Sequence, residues 1–300
     1  MTIADYEAHY MKTPMYAVTG ITGKVGGSVA RALLEAGLPV RAVVRDMRKG
    51  ESWAEKGCEV AIASIDDVDG MTKAFSGVDG VFLMMPPDYD PEPGFPLIRV
   101  NISAIRAAVA AARPGKLVFL STVGAHVERF SLLNNSQMIE EALRKLSIPV
   151  AFVRAAWFME NAAWDVEAAK AGVVPCFLQP LDHPIPMVAA TDIGRTAAEI
   201  LRDIWTGIRV VELEGPRRYS ANDIAAGFSA VLGHPVRMHP VPRNAWEDLF
   251  RSQGMKHPLP RIRMIDGFNE GWIDFEGGDA EHRKGRILLE AALRDVAERG

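Results

Sequence analysis

Apolar residues along this chain occur in short runs that alternate with amphipathic stretches. The apolar runs occupy residues 15–18, 40–44, 57–62, 80–85, 117–120 and 150–153. Runs of this length fit strands that are buried on both faces of a parallel sheet. Helical spacing falls between them, at residues 29–34, 71–75, 98–112 and 138–146. The alternation predicts an α/β fold with a doubly wound parallel sheet of order 3-2-1-4-5-6, whose ligand binds at the carboxyl ends of the strands.

A glycine-rich turn connects the first strand to the first helix. Gly20, Gly23 and Gly26 follow the strand at three-residue spacing. In a Rossmann sheet such glycines permit a tight turn, a close approach of backbone to a pyrophosphate, and close packing of helix on strand. A P-loop is excluded because Lys24 is followed by Val25 rather than by Ser or Thr. The turn therefore predicts a bound dinucleotide, with its phosphates at the helix N-terminus.

The pattern changes after about residue 158. Prolines become frequent, and the next elements are a helix from Thr191, a strand at 210–213, a helix after the capping-box-like Ser220–Asp223, a strand at 236–241 and a helix at 243–253. We therefore predict a loose N-terminal extension over 1–13, an NAD(P)-binding Rossmann domain over 14–157, and a smaller α/β C-terminal substrate lobe over 158–300, interleaved with the sheet edge.

The end of the second strand indicates which dinucleotide is bound. An acidic residue there would bind the ribose 2′-OH of NAD, whereas an arginine accommodates the 2′-phosphate of NADP. Arg45 stands at that position, with Arg48 and Lys49 nearby. A guanidinium suits a phosphate, so we predict a preference for NADP(H). Asp46 keeps NAD(H) use open, and a solvated basic loop is the simpler alternative.

Composition limits the remaining functions. The 300-residue chain has a near-balanced net charge of −4, and its two cysteines, Cys58 and Cys176, stand alone without a cluster of metal ligands. Neither a secretory signal nor an apolar run long enough to span a bilayer is evident. We therefore expect a cytoplasmic protein with reduced thiols and a small-molecule substrate, without a metal, nucleic-acid or membrane partner. A homodimer is left open.

Several segments together resemble the NmrA-like family of atypical short-chain dehydrogenases/reductases. The matching segments are residues 18–26, 43–46, 81–86, 120–125, 153–161, 186–194 and 214–220. Members of this family include NADPH-dependent quinone, azo-dye and triphenylmethane reductases, isoflavone-type reductases, and a non-catalytic regulator that senses dinucleotides. The resemblance implies the same fold and cofactor for this chain.

The resemblance also implies a cofactor site along the strand ends. Its residues would be Thr22, Gly23, Lys24 and Val25 at the phosphate turn, Arg45 at the 2′-phosphate, Met84, Met85 and Pro86 at the adenosine, Ser121, Thr122 and Val123 at the nicotinamide ribose, and Phe158 and Asn161 beside the nicotinamide. Two positions depart from the family. Ser64 replaces an Asp that reaches the adenine, although Asp66 or Asp67 could compensate. Ser136 replaces a Lys that binds the nicotinamide ribose.

The catalytic residue pair of a standard short-chain dehydrogenase is absent from the sequence. That pair is Tyr-x-x-x-Lys, and none of the five tyrosines is followed by Lys four positions later. His126 and Ser121 are weak candidates for a proton donor or a substrate-orienting group, with a solvated histidine and a strand-closing serine as the alternatives. Aromatic and methionine side chains could line an apolar acceptor pocket or only fill the core; they are Met84, Met85, Tyr89, Phe95, Trp157, Phe158 and Trp164.

Two functions follow from these observations. The first is a reductase that transfers hydride from NADPH to a small conjugated acceptor such as a quinone, an azo compound or a dye. Such acceptors disperse the incoming charge, so that water can supply the proton and the protein needs mainly to align the reactants. The second is a non-catalytic NADP(H) redox-sensing regulatory protein, which the missing Tyr-Lys pair and Ser136 favour.

Overall fold

The computed structural model describes residues 13–299, so the predicted extension over 1–13 lies, except for Thr13, outside the described residues. Eight parallel strands form one large sheet. They are β1 Tyr16–Val18, β2 Val40–Val44, β3 Glu59–Ile62, β4 Gly80–Leu83, β5 Leu117–Thr122, β6 Val150–Ala155, β10 Ile208–Glu214 and β12 Glu281–Lys284. Their order is β12-β10-β6-β5-β4-β1-β2-β3. The predicted order 3-2-1-4-5-6 is confirmed, and two later strands extend it beyond β6.

Helices flank this sheet, and others pack in the C-terminal half of the chain. They are α1 Lys24–Glu35, α2 Met47–Ala54, α3 Val68–Phe75, α4 Pro96–Ala112, α5 Asn134–Leu143, α6 Val166–Lys170, α7 Ala190–Arg202, α8 Ala221–Leu232, α9 Trp246–Ser252, α10 Leu259–Asn269 and α11 Leu289–Arg299, with 3-10 turns at Met159–Asp165 and Arg243–Ala245. No helix in the described part of the chain is both long and apolar enough to cross a bilayer.

Short polar side chains start several helices. Asp46 caps α2 by accepting a hydrogen bond from Arg48 N, and Asp67 caps α3 by accepting one from Gly70 N. The predicted capping box at Ser220 and Asp223 is confirmed, since both reciprocal hydrogen bonds are present at the start of α8. The basic segment after β2 is consequently helical rather than an open loop.

The C-terminal half contributes to the large sheet and also builds a second core. Two small sheets pair β7 Trp157–Phe158 with β9 Met187–Val188, and β8 Val173–Cys176 with β11 Arg237–Pro240. A separate cluster of buried apolar side chains packs between these sheets and helices α8, α10 and α11. Because β10 and β12 join the large sheet while this cluster lies beside it, the two halves of the chain are joined along one sheet edge.

Candidate dinucleotide and acceptor site

The glycine turn after β1 is built as the sequence predicts. Gly20 has a φ of +61°, a conformation that a side chain would strain, and its carbonyl accepts a hydrogen bond from Gly23 N at 2.9 Å. A Cβ on Gly26 would collide with the Gly20 carbonyl and would lie 2.8 Å from Thr19 O. The helix therefore packs directly on the turn.

The N-terminus of α1 is open toward this turn. Gly23 occupies the N-cap without any side-chain capping bond, and the first turn of the helix holds no acidic residue. A Cβ on Gly23 would meet only Gly20 O, at 3.3 Å. Free N–H groups at a helix N-terminus bind anions. The turn thus fits the pyrophosphate of a dinucleotide.

A cavity of about 230 Å³ extends from the turn across the ends of β2 and β4. Much of its wall is apolar, as an adenosine requires. Its lining residues are Thr19, Gly20, Thr22, Gly23, Val43, Val44, Arg45, Lys49, Ala63, Ile65, Met71, Met84, Met85, Pro86 and Pro87. Every residue predicted for the adenosine and the 2′-phosphate therefore lines one cavity, together with Thr22 and Gly23 of the phosphate turn.

Two cations border the cavity without a partner. Neither Arg45 nor Lys49 forms an ion pair or side-chain hydrogen bond with any residue in 13–299, and both are exposed. Asp46 is engaged elsewhere, because it accepts hydrogen bonds from the backbone N–H and the guanidinium of Arg48. The Arg48 side chain holds the pKa of Asp46 below its usual value. Asp46, the nearest carboxylate, is thus paired with Arg48 and forms no ion pair with Arg45 or Lys49 within residues 13–299.

The adenine end of the cavity is closed by apolar side chains. Ala63 and Ile65, on either side of Ser64, contribute to the wall there. The two carboxylates that could compensate are committed locally: Ser64 hydrogen-bonds Asp66, and Asp67 caps α3. Packing against the adenine would therefore rest on apolar contact here.

The remaining predicted cofactor residues lie outside this cavity. Lys24 is exposed at the start of α1, and Val25 is buried beneath the turn. Val123 is fully buried and packs in the C-terminal core, and its N–H donates to Ala155 O. Thr122, Phe158 and Asn161 are half-buried at the ends of β5 and β7. Their cofactor contacts stay predictions.

Ser121 belongs to a buried charge cluster. Its hydroxyl donates a 2.6 Å hydrogen bond to the carboxylate of Glu140, and the side chain is 4% exposed. Arg154 donates to both oxygens of Glu140 and also pairs with Glu276, while Glu212 lies 3.9 Å from its guanidinium. The bond to Glu140 favours the strand-closing role of Ser121 over proton donation.

His126 differs from Ser121 because its ring is not engaged. Its Nδ1 is buried and has no hydrogen-bond partner among the described residues. Two of the described tyrosines, Tyr16 and Tyr219, are buried, whereas Tyr89 is 46% exposed on the loop after β4. Within residues 13–299 no three His, Cys, Asp or Glu side chains are grouped to hold a metal ion.

An aromatic and cationic group adjoins the strand ends. Tyr89 contacts Trp164 edge-on with ring centroids 5.6 Å apart, and Trp164 is 63% exposed. Arg261, near the start of α10, lies 5.8 Å from the Trp164 ring. Of the predicted pocket aromatics, Phe95 instead lies in the core of the large sheet. Tyr89, Trp164 and Arg261 thus form a partly open wall.

Sequence reasoning noted Lys49 only as a cation near Arg45, and it did not single out Ile65 of the cavity lining or Arg261 beside Trp164. Lys49 carried a signal, since it follows Arg45 by one helical turn. Ile65 follows β3 within the segment where relatives carry an acid. The sequence contains no signal for Arg261, because only the tertiary structure brings α10 to the strand ends.

Comparison with known proteins agrees with this geometry. Residues 12–272 match the model of the NmrA-like family. The chain is 32% identical over 227 residues to the (4-alkanoyl-5-oxo-2,5-dihydrofuran-3-yl)methyl phosphate reductase of Streptomyces griseus, covering 74% of this chain and 76% of that protein. It is 27% identical over 266 residues to the NAD(P)H azoreductase of Xenophilus azovorans, covering 85% of each chain.

Solved structures share the fold. The triphenylmethane reductase of Citrobacter sp. complexed with NADP(H) superposes with a TM-score of 0.77 at 20% identity, over 94% of this chain and 99% of that chain. The NADPH-dependent quinone oxidoreductase of Escherichia coli gives a TM-score of 0.75 at 21% identity, over 94% and 99% of the two chains. From its sequence match over most of its length, the chain belongs to the NmrA-like family.

Proposed function

We propose that this protein binds NADP(H) and is a reductase that passes hydride to a small conjugated acceptor. The observation that carries the proposal is the cavity at the glycine turn, where an uncapped helix N-terminus, an apolar wall and two unpaired cations adjoin. Bound NADPH would supply the hydride. The chain would supply the cradle for its phosphates and would hold the acceptor beside the strand ends.

The preference for NADP(H) over NAD(H) rests on charge. Arg45 and Lys49 border the cavity free of ion pairs within the described chain, and Asp46 is bound to Arg48. A ribose 2′-OH would need a free carboxylate acceptor, whereas a 2′-phosphate needs cations. The pairing of Asp46 with Arg48 therefore favours the phosphate.

The acceptor class follows from what the relatives reduce and from the groups this chain lacks. The relatives named above reduce an azo compound, a dye, a quinone and an oxo-dihydrofuran phosphate. This chain has no Tyr-x-x-x-Lys, and Ser121 is bound to Glu140. Acceptors that delocalise charge suit such a site, since positioning rather than protein acid–base chemistry would set the rate.

The finer assignments belong to the same proposal. Residues 158–300 would act as the substrate lobe over the Rossmann domain at 14–157, with Phe158 and Asn161 beside the nicotinamide and Ser121, Thr122 and Val123 beside its ribose. A cytoplasmic location is supported by two buried, unpaired thiols at Cys58 and Cys176.

A redox-sensing regulator is the second candidate. It is favoured by the bond between Ser121 and Glu140, which engages one of the two candidate donors, and by Ser136 in place of the family's lysine. A sensor requires the oxidised and reduced cofactors to bind with different affinities, because a ligand shifts an equilibrium only by its differential affinity.

Calorimetric titration with NADP+, NADPH, NAD+ and NADH tests the cofactor site. Arg45→Ala should weaken NADPH binding about 10- to 100-fold, the usual value of a charge-assisted hydrogen bond, and should leave NADH binding unchanged. Arg106→Ala is the matched control, since it removes an exposed cation on α4 that does not line the cavity. Equal losses in both variants would contradict the assignment.

Oxidation of NADPH against quinones, azo dyes and triphenylmethane dyes then separates the two candidates. Turnover with any of these acceptors supports the reductase. Tight cofactor binding without turnover, together with unequal affinities for NADP+ and NADPH, supports the sensor instead.

A further inference from the structure

Arg261 differs from the other partly or fully buried arginines in its lack of an ion pair within the described residues. Six other described arginines are at least half-buried, and each forms an ion pair with a carboxylate: Arg41, Arg154, Arg209, Arg218, Arg263 and Arg283. Arg261 is withdrawn to a similar degree, yet no carboxylate in residues 13–299 lies within ion-pair distance of it. Within the described residues, no carboxylate thus offsets the desolvation of its charge.

The contacts of Arg261 are aromatic and weak. Its guanidinium stacks 4.8 Å from the Phe250 ring and 5.8 Å from the Trp164 ring. Among residues 13–299, its side chain donates one hydrogen bond, to the sulfur of Met255 at 3.8 Å. Burial lowers the pKa of the guanidinium, and Tyr89 opposes that shift. Thioether sulfur is a weak acceptor, so most of the five N–H donors remain available.

The position of Arg261 links it to the strand ends. The Asp90 carboxylate, on the loop after β4, accepts hydrogen bonds from Lys256 N and His257 N, just before α10. Leu132 N, on the loop after β5, donates to Pro260 O at 2.9 Å. The first turn of α10 is therefore fastened to the two loops that leave the ligand-binding edge of the sheet.

The same helix reaches the predicted nicotinamide position at its other end. Phe268 contacts Trp157 edge-on, with ring centroids 5.2 Å apart, and Trp157 precedes Phe158. Arg261 lies seven residues earlier on α10, or about 10 Å along the axis. The exposed rings of Tyr89 and Trp164 flank Arg261.

We infer that Arg261 binds an oxyanion group, a phosphate ester or a carboxylate, carried by the acceptor, with Tyr89 and Trp164 contacting the acceptor's flat body. A guanidinium forms paired hydrogen bonds to either group, and a desolvated one gains more from such a partner than an exposed one. The statement that the bound anion belongs to a hydride acceptor rests on the proposed reductase function. The anion-binding role of Arg261 does not.

Two azo dyes that differ by one carboxylate test the assignment. Methyl yellow is neutral and para methyl red carries the carboxylate. Binding of each dye to the NADP+-loaded protein is titrated by calorimetry, so the readout does not need turnover. In Arg261→Gln the carboxylate dye should bind about 10- to 100-fold more weakly, while the neutral dye changes by less than about twofold.

Two further variants distinguish recognition from a change in folding. Arg261→Lys keeps the charge but loses the planar fork, so it should recover part of the preference for the carboxylate dye. Arg263→Gln removes a cation from the same helix, and Asp266 keeps its pair with Arg243. This control should bind both dyes as the unsubstituted protein does.

The outcomes separate the two proposals. Charge-dependent dye binding through Arg261 without NADPH oxidation would keep the anion subsite and remove the reductase. Reduction of both dyes with a charge preference that Arg261→Gln leaves unaltered would keep the reductase and overturn the subsite. Equally weakened binding of both dyes in Arg261→Gln would also overturn the subsite. A local structural change would weaken the binding of both dyes regardless of their charge.

Discussion

Two glycines of the same turn should respond differently to substitution by alanine, one in folding stability and the other in cofactor affinity. Gly26 packs against the turn backbone, so a Cβ there would overlap the Gly20 carbonyl and lie 2.6 Å from Gly20 C. Gly23 has room for a methyl group apart from one 3.3 Å contact, and its φ of −91° suits any residue. Gly26→Ala should therefore damage the fold, and Gly23→Ala should damage the ligand site.

The expected magnitudes follow from these contacts. Overpacking of a buried position costs about 1–3 kcal/mol, which corresponds to a fall of roughly 2–10 °C in the melting temperature of Gly26→Ala. Gly23→Ala loses at most about 1 kcal/mol as a poorer N-cap. Its methyl group, however, stands where the pyrophosphate must approach the backbone, so NADPH affinity should fall at least about tenfold.

Thermal unfolding without ligand and calorimetry with NADPH measure the two effects separately. The reasoning fails if Gly26→Ala unfolds at the same temperature as the unsubstituted protein. It also fails if Gly23→Ala retains full affinity, because the phosphates would then lie elsewhere. Gly37→Ala is unsuitable as a control despite the open space there, since its φ of +72° would strain alanine.

Three further substitutions test buried polar and charged side chains. Arg154→Met should cost about 3 kcal/mol, because it removes the buried cation that faces Glu140 and Glu212 and leaves Glu140 only the partly exposed Arg144; a loss below 1 kcal/mol in urea unfolding would contradict this. Ser121→Ala should retain turnover, since the hydroxyl serves Glu140; a drop of about 100-fold would identify a proton donor instead. Burial raises the pKa of Asp165 to about 6. Ionisation of this carboxylate therefore lowers the folding stability as pH rises from about 4 to 6, by at most about 3 kcal/mol. Asp165→Asn should melt higher than the unsubstituted protein at pH 8 and equally at pH 4, and identical melting curves at pH 8 would refute the assignment.

The strands buried on both faces could be predicted from the sequence. Gly80–Leu83 is a continuous apolar run and Val40–Val44 is interrupted only by Arg41, and the structure places both strands within two residues of the predicted ends. A parallel sheet covered by helices leaves this signal because both faces of each strand exclude water.

The elements that were missed lack such a signal for identifiable reasons. Glu281–Lys284, the edge strand β12, has no apolar residue, and its polar side chains contact neighbours: His282 and Lys284 lie against the buried Glu214 of β10. Charge protects an edge strand from pairing with other chains, but it removes the alternation by which a strand is recognised. Helix α10 begins at a proline-rich segment and has little apolar periodicity.

The site divides in the same way. The dinucleotide half depends on local backbone geometry, a tight turn followed by a helix, and local geometry is written in adjacent residues such as Gly20 and Gly23. The acceptor half depends on segments that are distant along the chain, as when Asp90 holds the backbone at Lys256 and His257. No spacing in the sequence encodes that contact. The proposed anion-binding residue, Arg261, therefore lies in the half of the site that neighbouring residues in the sequence do not reveal.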